Sequence, residues 1–274
     1  MTGHVIRRWV PAPLKRRLKK FLDKDLREFK KQEAVISKLP RFTTAQILFL
    51  RKKFTMVDGA SFLFMKKEIF DQQIYRFNAD NDTPYIVDCG ANIGLSVIYF
   101  KQLYPKATVI AFEPDEKIFG VLNDNINSFG LSGVELIKKA CWNMDGLLQF
   151  YSEGADGGRA AKDFDRQQIV QVQCTSIKKY LLRKVDLLKI DIEGAEFEVL
   201  EDIESQMGNI EKMFIEYHSF VGKPQALPEI LAILKRAGFR INMHHIGIYS
   251  PNPLLEIKNY NMMDLQLNIY CSRV

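Results

Sequence analysis

From Tyr85 onward the chain alternates short apolar runs with amphipathic stretches, and no other feature restricts its fold so strongly. Strands buried on both faces read as near-continuous Val/Ile/Leu runs, and a helix between two of them returns the chain so that the next strand runs parallel. The predicted strands are Tyr85–Cys89, Thr108–Glu113, Val134–Ala140, Leu187–Asp191, Lys212–His218, Arg240–His245 and Leu267–Ser272. Leu95–Tyr104, Lys117–Phe129, Glu196–Met207 and Leu227–Ala237 read as the helices between them. Only a loop joins the last two strands, so an antiparallel pair is expected at one edge of a mostly parallel, seven-stranded α/β sheet.

The first fifth of the chain is different. Residues 1–53 hold 16 Lys/Arg against 4 Asp/Glu, whereas the rest of the 274 residues hold 23 against 29. That asymmetry predicts a basic, largely helical N-terminal extension over residues 1–80 and a mildly acidic catalytic domain over residues 81–274. In the stretch Pro13–Phe29, Leu14, Leu18, Phe21, Leu22 and Leu26 share one face of a helix with lysines and arginines between them. Such a stripe packs on the body or on a second copy in a homo-oligomer, or lies on an anionic membrane surface with Trp9 as its anchor. A second helix is predicted over Thr43–Phe54, and Phe62–Tyr75 reads equally as strand or helix. No apolar run reaches the roughly 18–20 residues of a membrane span, and no secretory leader is evident. Cys89, Cys141, Cys174 and Cys271 form no CxxC pair, so a cytoplasmic setting is expected, with peripheral membrane contact left open.

The strand Tyr85–Cys89 runs into Gly90-Ala91-Asn92-Ile93-Gly94 and then a helix. A glycine turn between strand and helix makes a nucleotide-type pocket, because a ligand can approach the backbone and the free N–H groups. The spacing is D-x-G-x-x-x-G, with neither the G-x-G-x-x-G of dinucleotide enzymes nor the lysine of a P-loop. Asp88 before the first glycine would repel a pyrophosphate but suits an ammonium, directly or through water. S-adenosylmethionine carries an ammonium and no phosphate. Glu113, at the end of the next strand, is placed to accept hydrogen bonds from both ribose hydroxyls.

The segments VDCGANIG (87–94), AFEP (111–114), DLLKIDIEGAEFEVL (186–200) and IEYH (215–218) together resemble the FkbM family of S-adenosylmethionine-dependent methyltransferases over about residues 84–220. The resemblance implies a class I methyltransferase (Rossmann-like) sheet of order 3-2-1-4-5-7-6 and methylation of a hydroxyl oxygen on a saccharide, glycan precursor or natural product. Asp88, Gly90, Asn92 and Gly94, with Ala91 between them, match the cofactor loop, and Glu113 the ribose acid. Where many other class I enzymes place an adenine-binding aspartate this chain has Lys139-Ala140-Cys141-Trp142, so backbone groups and Cys141 are expected to hold adenine. Gly154–Ala161 reads as a loop over the acceptor site or as a plain hairpin turn.

A sugar hydroxyl is a poor nucleophile, so its proton must be taken or its pKa lowered. Alternation along a strand puts Asp191 with Glu193, and Glu216 with His218, on common faces. Two versions follow. In one, His218 is the general base, oriented by Glu216 or Glu193, with Asp191 facing the cofactor and the acceptor. In the other, Asp191, Glu216 and His218, with or without Glu193, hold Mg²⁺ or Mn²⁺ against the acceptor oxygens. Alternatively, Glu193 and Glu196 are simply a charge pair at a helix N-terminus, the reading preferred for Glu196, with His218 simply hydrogen-bonded. His4, His244 and His245 read as structural or solvated, and Met262 and Met263 as core filling in preference to lining an acceptor pocket. A nucleic-acid methyltransferase using the basic N-terminus is the alternative; the absence of an N/D-P-P-Y/F element after the fourth strand makes a nucleic-acid partner the weaker reading.

Overall fold

The computed structural model describes residues 29–151, 159–160 and 169–273. Residues 29–36 form a helix, α1, followed by a hairpin of β1 (Ala45–Phe49) and β2 (Lys52–Met56), and then by α2 (Gly59–Lys66). The wider π turn Lys67–Gln72 continues α2 without a break. The body alternates β3 (Tyr85–Cys89), α3 (Leu95–Leu103), β4 (Thr108–Phe112), α4 (Glu116–Phe129) and β5 (Val134–Ile137). Four strands follow: β6 (Ala140–Trp142), β7 (Gly146–Tyr151), β8 (Arg159–Ala160) and β9 (Ile169–Ser176). The chain closes with β10 (Leu187–Ile190), α5 (Glu196–Asp202), β11 (Lys212–Phe220), α6 (Leu227–Arg236), β12 (Arg240–Ile246) and β13 (Met263–Ser272).

Seven of these strands form one sheet in the order β12-β13-β11-β10-β3-β4-β5. Counted along the body, this is the expected 3-2-1-4-5-7-6 order. Pairings from β5 to β11 are parallel, and β13 lies antiparallel between β11 and β12. β3 is buried along its whole length at the centre, which is why Tyr85–Cys89 is an unbroken apolar run save for Asp88. Local signals set the helix ends. The Asp115 carboxylate accepts from the Lys117 and Ile118 amides to start α4, and Gly130 ends that helix with φ 63°.

Four expectations are corrected. The stretch Val134–Ala140 is not one strand: the Lys139 amide turns back to the Ile137 carbonyl at 2.9 Å, and Ala140–Trp142 joins a second sheet of order β6-β9-β7-β8. Glu196–Met207 is α-helical only to Asp202 and then tightens into a 3₁₀ turn at Glu204–Asn209. Thr43–Phe54 is not a helix but most of the β1–β2 hairpin, turning at Leu50 and Arg51 with φ 48° and 65°. The cause is tertiary. Phe54 and Met56 lie two apart on one buried face, and Phe49, Phe54 and Phe62 stack edgewise or tilted with ring centres 5.5–5.6 Å apart. Each such phenylalanine contributes roughly 2–3 kcal/mol on burial, which outweighs the few tenths of helix propensity opposing it. The N-terminal part is therefore only partly helical among its described residues; the helix expected over Pro13–Phe29 lies outside them except for Phe29. Phe62–Tyr75, open between strand and helix, is helical as far as Gln72.

The hairpin and α2 share one core with α3 and α4. Asn125 on α4 fastens them to the glycine turn: it accepts from the Thr55 amide at 2.7 Å and donates to the carbonyls of Thr55 and Ile93, both at 2.9 Å. All four cysteines are buried and unbridged, and no described helix is long and apolar enough to cross a membrane.

Candidate active site

A cavity of about 560 Å³ opens at the C-terminal edge of β3, β4, β10 and β11, where open α/β sheets bind ligands. One end is formed by Gly90–Ile93, Phe112–Asp115, Ile118 and Lys139–Cys141, with Leu148 and Phe150 from the second sheet. The Glu113 side chain accepts from the Asn92 amide at 3.1 Å and the Asp115 amide at 2.9 Å, and burial pushes its pKa up to about 7. Cys141 lies at this end with its thiol held well above the usual range, first by burial and then by Cys89 beside it.

The glycines act differently from expectation. A Cβ on Gly90, where φ is 87°, would lie 1.9 Å from the Asp191 carbonyl oxygen. At Gly94, φ 95°, it would lie 2.9 Å from Leu122 of α4. Both let the turn press against its own scaffold, and close ligand approach follows as a consequence. Asp88 is fully buried and does not line the cavity. Its carboxylate accepts from the Ser96 hydroxyl at 2.6 Å and lies 3.3 Å from the Lys189 ammonium, so direct contact with a cofactor ammonium is not what this geometry provides.

Lys189 is the cation at the centre of the site. It sits inside β10, donates to the Gly90 carbonyl at 2.6 Å and lies 3.3 Å from Asp191. Burial alone would discharge it, but Asp191, Asp88 and Glu216 outweigh burial and hold its pKa above the usual lysine range. The glycine turn is thus tied to the end of β10 by a buried charge.

The other end of the cavity is acidic: Glu68, Asp191, Glu193 and Glu216 line it, with Tyr75, Tyr260 and Met263. Burial, then Glu216 and Asp191, push Glu68 up to about 8. Burial also raises Glu193 to about 8, where Asp191 and Glu216 add to it against the pull of His218. Glu216 is raised by burial and by Asp191. His218 lies behind this wall with no exposed side-chain surface. Its Nδ1 is 3.1 Å from Glu196, while its Nε2 is 3.6 Å from Glu193 and 3.5 Å from Glu216 and makes no hydrogen bond. Although burial opposes a charge, Glu193, Glu196 and Glu216 together hold its pKa well above the ordinary histidine value.

A family model described as the methyltransferase FkbM domain matches residues 88–241, more than half of the chain. The chain belongs to the FkbM methyltransferase family. Among its relatives is Methyltransferase sdnD of Sordaria araneosa, 29% identical over 65% of this chain and 82% of that protein. Another is 31-O-demethyl-FK506 methyltransferase FkbM of Streptomyces tacrolimicus, 26% identical over 68% of this chain and 84% of that protein. A crystal structure of Methyltransferase FkbM from Methylobacillus flagellatus KT aligns over 73% of this chain with 18% identity and a TM-score of 0.47, and the chain spans 46% of that longer protein. The chain is an S-adenosylmethionine-dependent methyltransferase with a class I sheet.

Within this FkbM fold, Asp191, Glu193, Glu216 and His218 do converge, and Gly90, Ala91, Asn92, Glu113 and Cys141 line the same cavity as the three acids. Gly94 and Asp88 stand behind the turn. Three expectations change. His218 has no exposed side-chain surface and stands behind Glu193 and Glu216, so its ring does not open directly onto the cavity as a general base for the acceptor would. Glu196 does stand in the first turn of α5, but it is more than a helix charge: it is buried, accepts from the Gly194 amide at 2.9 Å and is the residue that orients His218, a role expected of Glu216 or Glu193. Met263 lines the cavity and Met262 is about half exposed, so neither is simple core. Lys189, Glu68 and Tyr75 were not expected. A lone lysine inside the apolar run LLKI is a readable signal, because lysine is seldom fully buried without a partner. Glu68 and Tyr75 reach the cavity from the N-terminal segment, which no spacing announces. Of Gly154–Ala161, Arg159 and Ala160 pair with β7, and the rest lies outside the described residues.

Proposed function

We propose that this chain transfers the methyl group of S-adenosylmethionine to a hydroxyl oxygen of a saccharide, glycan precursor or natural product. The observation that carries this reading is the single cavity with two unlike ends, a hydrogen-bonding turn with Glu113 and a wall of four carboxylates. The cofactor lies along the Gly90–Ile93 turn with its ribose on Glu113 and its adenine among Phe112, Cys141, Leu148 and Phe150. Its methyl group then faces the acidic wall. In the displacement the acceptor oxygen forms a bond to the methyl carbon as the carbon–sulfur bond breaks, and S-adenosylhomocysteine leaves. The hydroxyl proton passes to the acidic wall, where Asp191, with a quarter of its side chain exposed, is more open than Glu193 or Glu216. Holding both reactants in line supplies several kcal/mol of the barrier reduction.

Carboxylates also accept hydrogen bonds from neighbouring hydroxyls, which suits a polyhydroxylated acceptor. The relative from Streptomyces tacrolimicus is named for an O-demethyl acceptor, in line with transfer to oxygen. The test is turnover of ¹³C-methyl-labelled S-adenosylmethionine against a panel of glycosides and polyketide alcohols, read by NMR. An O-methyl product that disappears with Asp191→Asn supports the reading; labelled N-methyl product, or transfer to RNA, contradicts it.

A further inference from the structure

The geometry points to a divalent-cation site at Asp191, Glu193 and His218, with Glu216 beside it. The ligand atoms of the first three all lie within 4.8 Å of one another. Six-coordinate Mg²⁺ or Mn²⁺ with bonds of about 2.1 Å places neighbouring ligand atoms about 3.0 Å apart and opposite ones about 4.2 Å apart. The separations from His218 Nε2, 3.6 Å to Glu193 and 3.5 Å to Glu216, fall between these values.

A cluster of acids is not by itself a site; the histidine makes the difference. Glu196 Oε1 accepts the Gly194 amide at 2.9 Å and lies 3.1 Å from Nδ1 of His218, the arrangement in which Nδ1–H donates to it. The ring is thereby oriented with Nε2 toward three carboxylates, where this buried nitrogen has no hydrogen-bond partner. A histidine whose far nitrogen is fixed by a carboxylate, and whose near nitrogen faces acidic oxygens, has the arrangement of a metal ligand with its outer support. With Nδ1 engaged by Glu196, the lone pair of Nε2 is left for an ion shared with these oxygens. Oxygen donors with one imidazole suit Mg²⁺ or Mn²⁺. The inference rests on the proposed function only for what the ion does: it binds the acceptor oxygen and lowers its pKa, leaving the proton to the carboxylates around it.

The test is Mn²⁺ binding to the full, EDTA-treated chain, followed by loss of the free-ion EPR signal, with Mg²⁺ as competitor and no cofactor present. One Mn²⁺ per chain, displaced by Mg²⁺, is expected. Glu196→Gln should weaken binding by about 10–100-fold, and His218→Gln and Asp191→Asn at least as much. Thermal melts of each variant report whether it is folded, and a folded Glu196→Gln protein is sufficient for the comparison. An undiminished free-ion signal overturns the inference, as does equal binding by the wild type and a folded Glu196→Gln or His218→Gln protein. Methyl transfer undisturbed by EDTA, together with no Mn²⁺ binding, removes the ion and leaves the methyltransferase reading standing. Bound Mn²⁺ without transfer to any hydroxyl does the reverse.

Discussion

The two ends of the cavity are built in opposite ways. The cofactor end comes mainly from consecutive residues: one strand, one turn with three positive φ angles at Gly90, Asn92 and Gly94, and one acid at the end of the neighbouring strand. The acidic end is assembled from the end of β10, the start of α5, the middle of β11 and the π turn after α2, with 148 residues of sequence between Glu68 and Glu216. A pocket made by local geometry tolerates little change of shape. One made by convergence of distant side chains is held by charge, through Lys189 and His218, and changes by altering single groups.

The largest effect should separate the two ends by chemistry. Asp191→Asn is predicted to lower kcat by about 10²–10⁴, within the range of losing a positioned proton acceptor, while S-adenosylmethionine still binds. Stopped-flow or steady-state turnover checks it, and an unchanged kcat would move the proton to another member of the wall. Gly90→Ala tests shape instead. The 1.9 Å approach to the Asp191 carbonyl and the positive φ predict a loss of about 2–3 kcal/mol in chemical denaturation, together with weakened cofactor binding. Full stability in that variant would mean that the turn is looser than it looks.

Glu113→Ala should raise the dissociation constant for S-adenosylmethionine by about 10–100-fold, the cost of losing hydrogen bonds to a charged group. The pH dependence of binding sharpens this. Burial and Asp115 raise the Glu113 pKa to about 7, while the Asp115 and Asn92 amides and Lys189 pull it down. The ribose hydroxyls need the ionised form, so affinity should rise as pH goes from 6 to 8, and calorimetry of the Glu113→Gln variant should lose that dependence. Stability follows the opposite sign. A carboxyl whose folded pKa exceeds its unfolded value favours the fold below about pH 4.5, and that contribution is lost as pH rises through about 7. The smallest effect is expected from Glu68→Gln, a change of about two- to tenfold in KM for the acceptor with cofactor affinity unaltered.

The same contrast decides what could be read from sequence. The seven strands of the main sheet and the strand–turn–helix at 85–103 were legible because apolar periodicity and glycine spacing are local properties, while the strand order came only from the family resemblance. The pairing of Glu216 with His218, which alternation along β11 carries to one edge, was legible too, whereas Asp191 and Glu193 lie past the end of β10 in a turn where Glu193 has φ 56°, so alternation does not explain their convergence. Glu196 was not, because a glutamate at the first turn of a helix is equally at home in solvent, and only the return of β11 beside it makes it a histidine partner. The β1–β2 hairpin and the second sheet escaped for a related reason: their strands are stabilised by aromatic packing and by a turn at Lys138–Lys139, neither of which leaves a periodic trace. Hence Leu148 and Phe150, which the second sheet brings to the cavity, and Glu68, which the π turn after α2 brings there, had no signal.

The most direct measurement is calorimetric titration of S-adenosylmethionine into the wild-type chain, Glu113→Ala and Glu68→Gln under one set of conditions. A cavity with a separate cofactor end predicts one site per chain, weakened about 10–100-fold by Glu113→Ala and unchanged by Glu68→Gln. No binding to the wild type, or equal losses in the two variants, would contradict it.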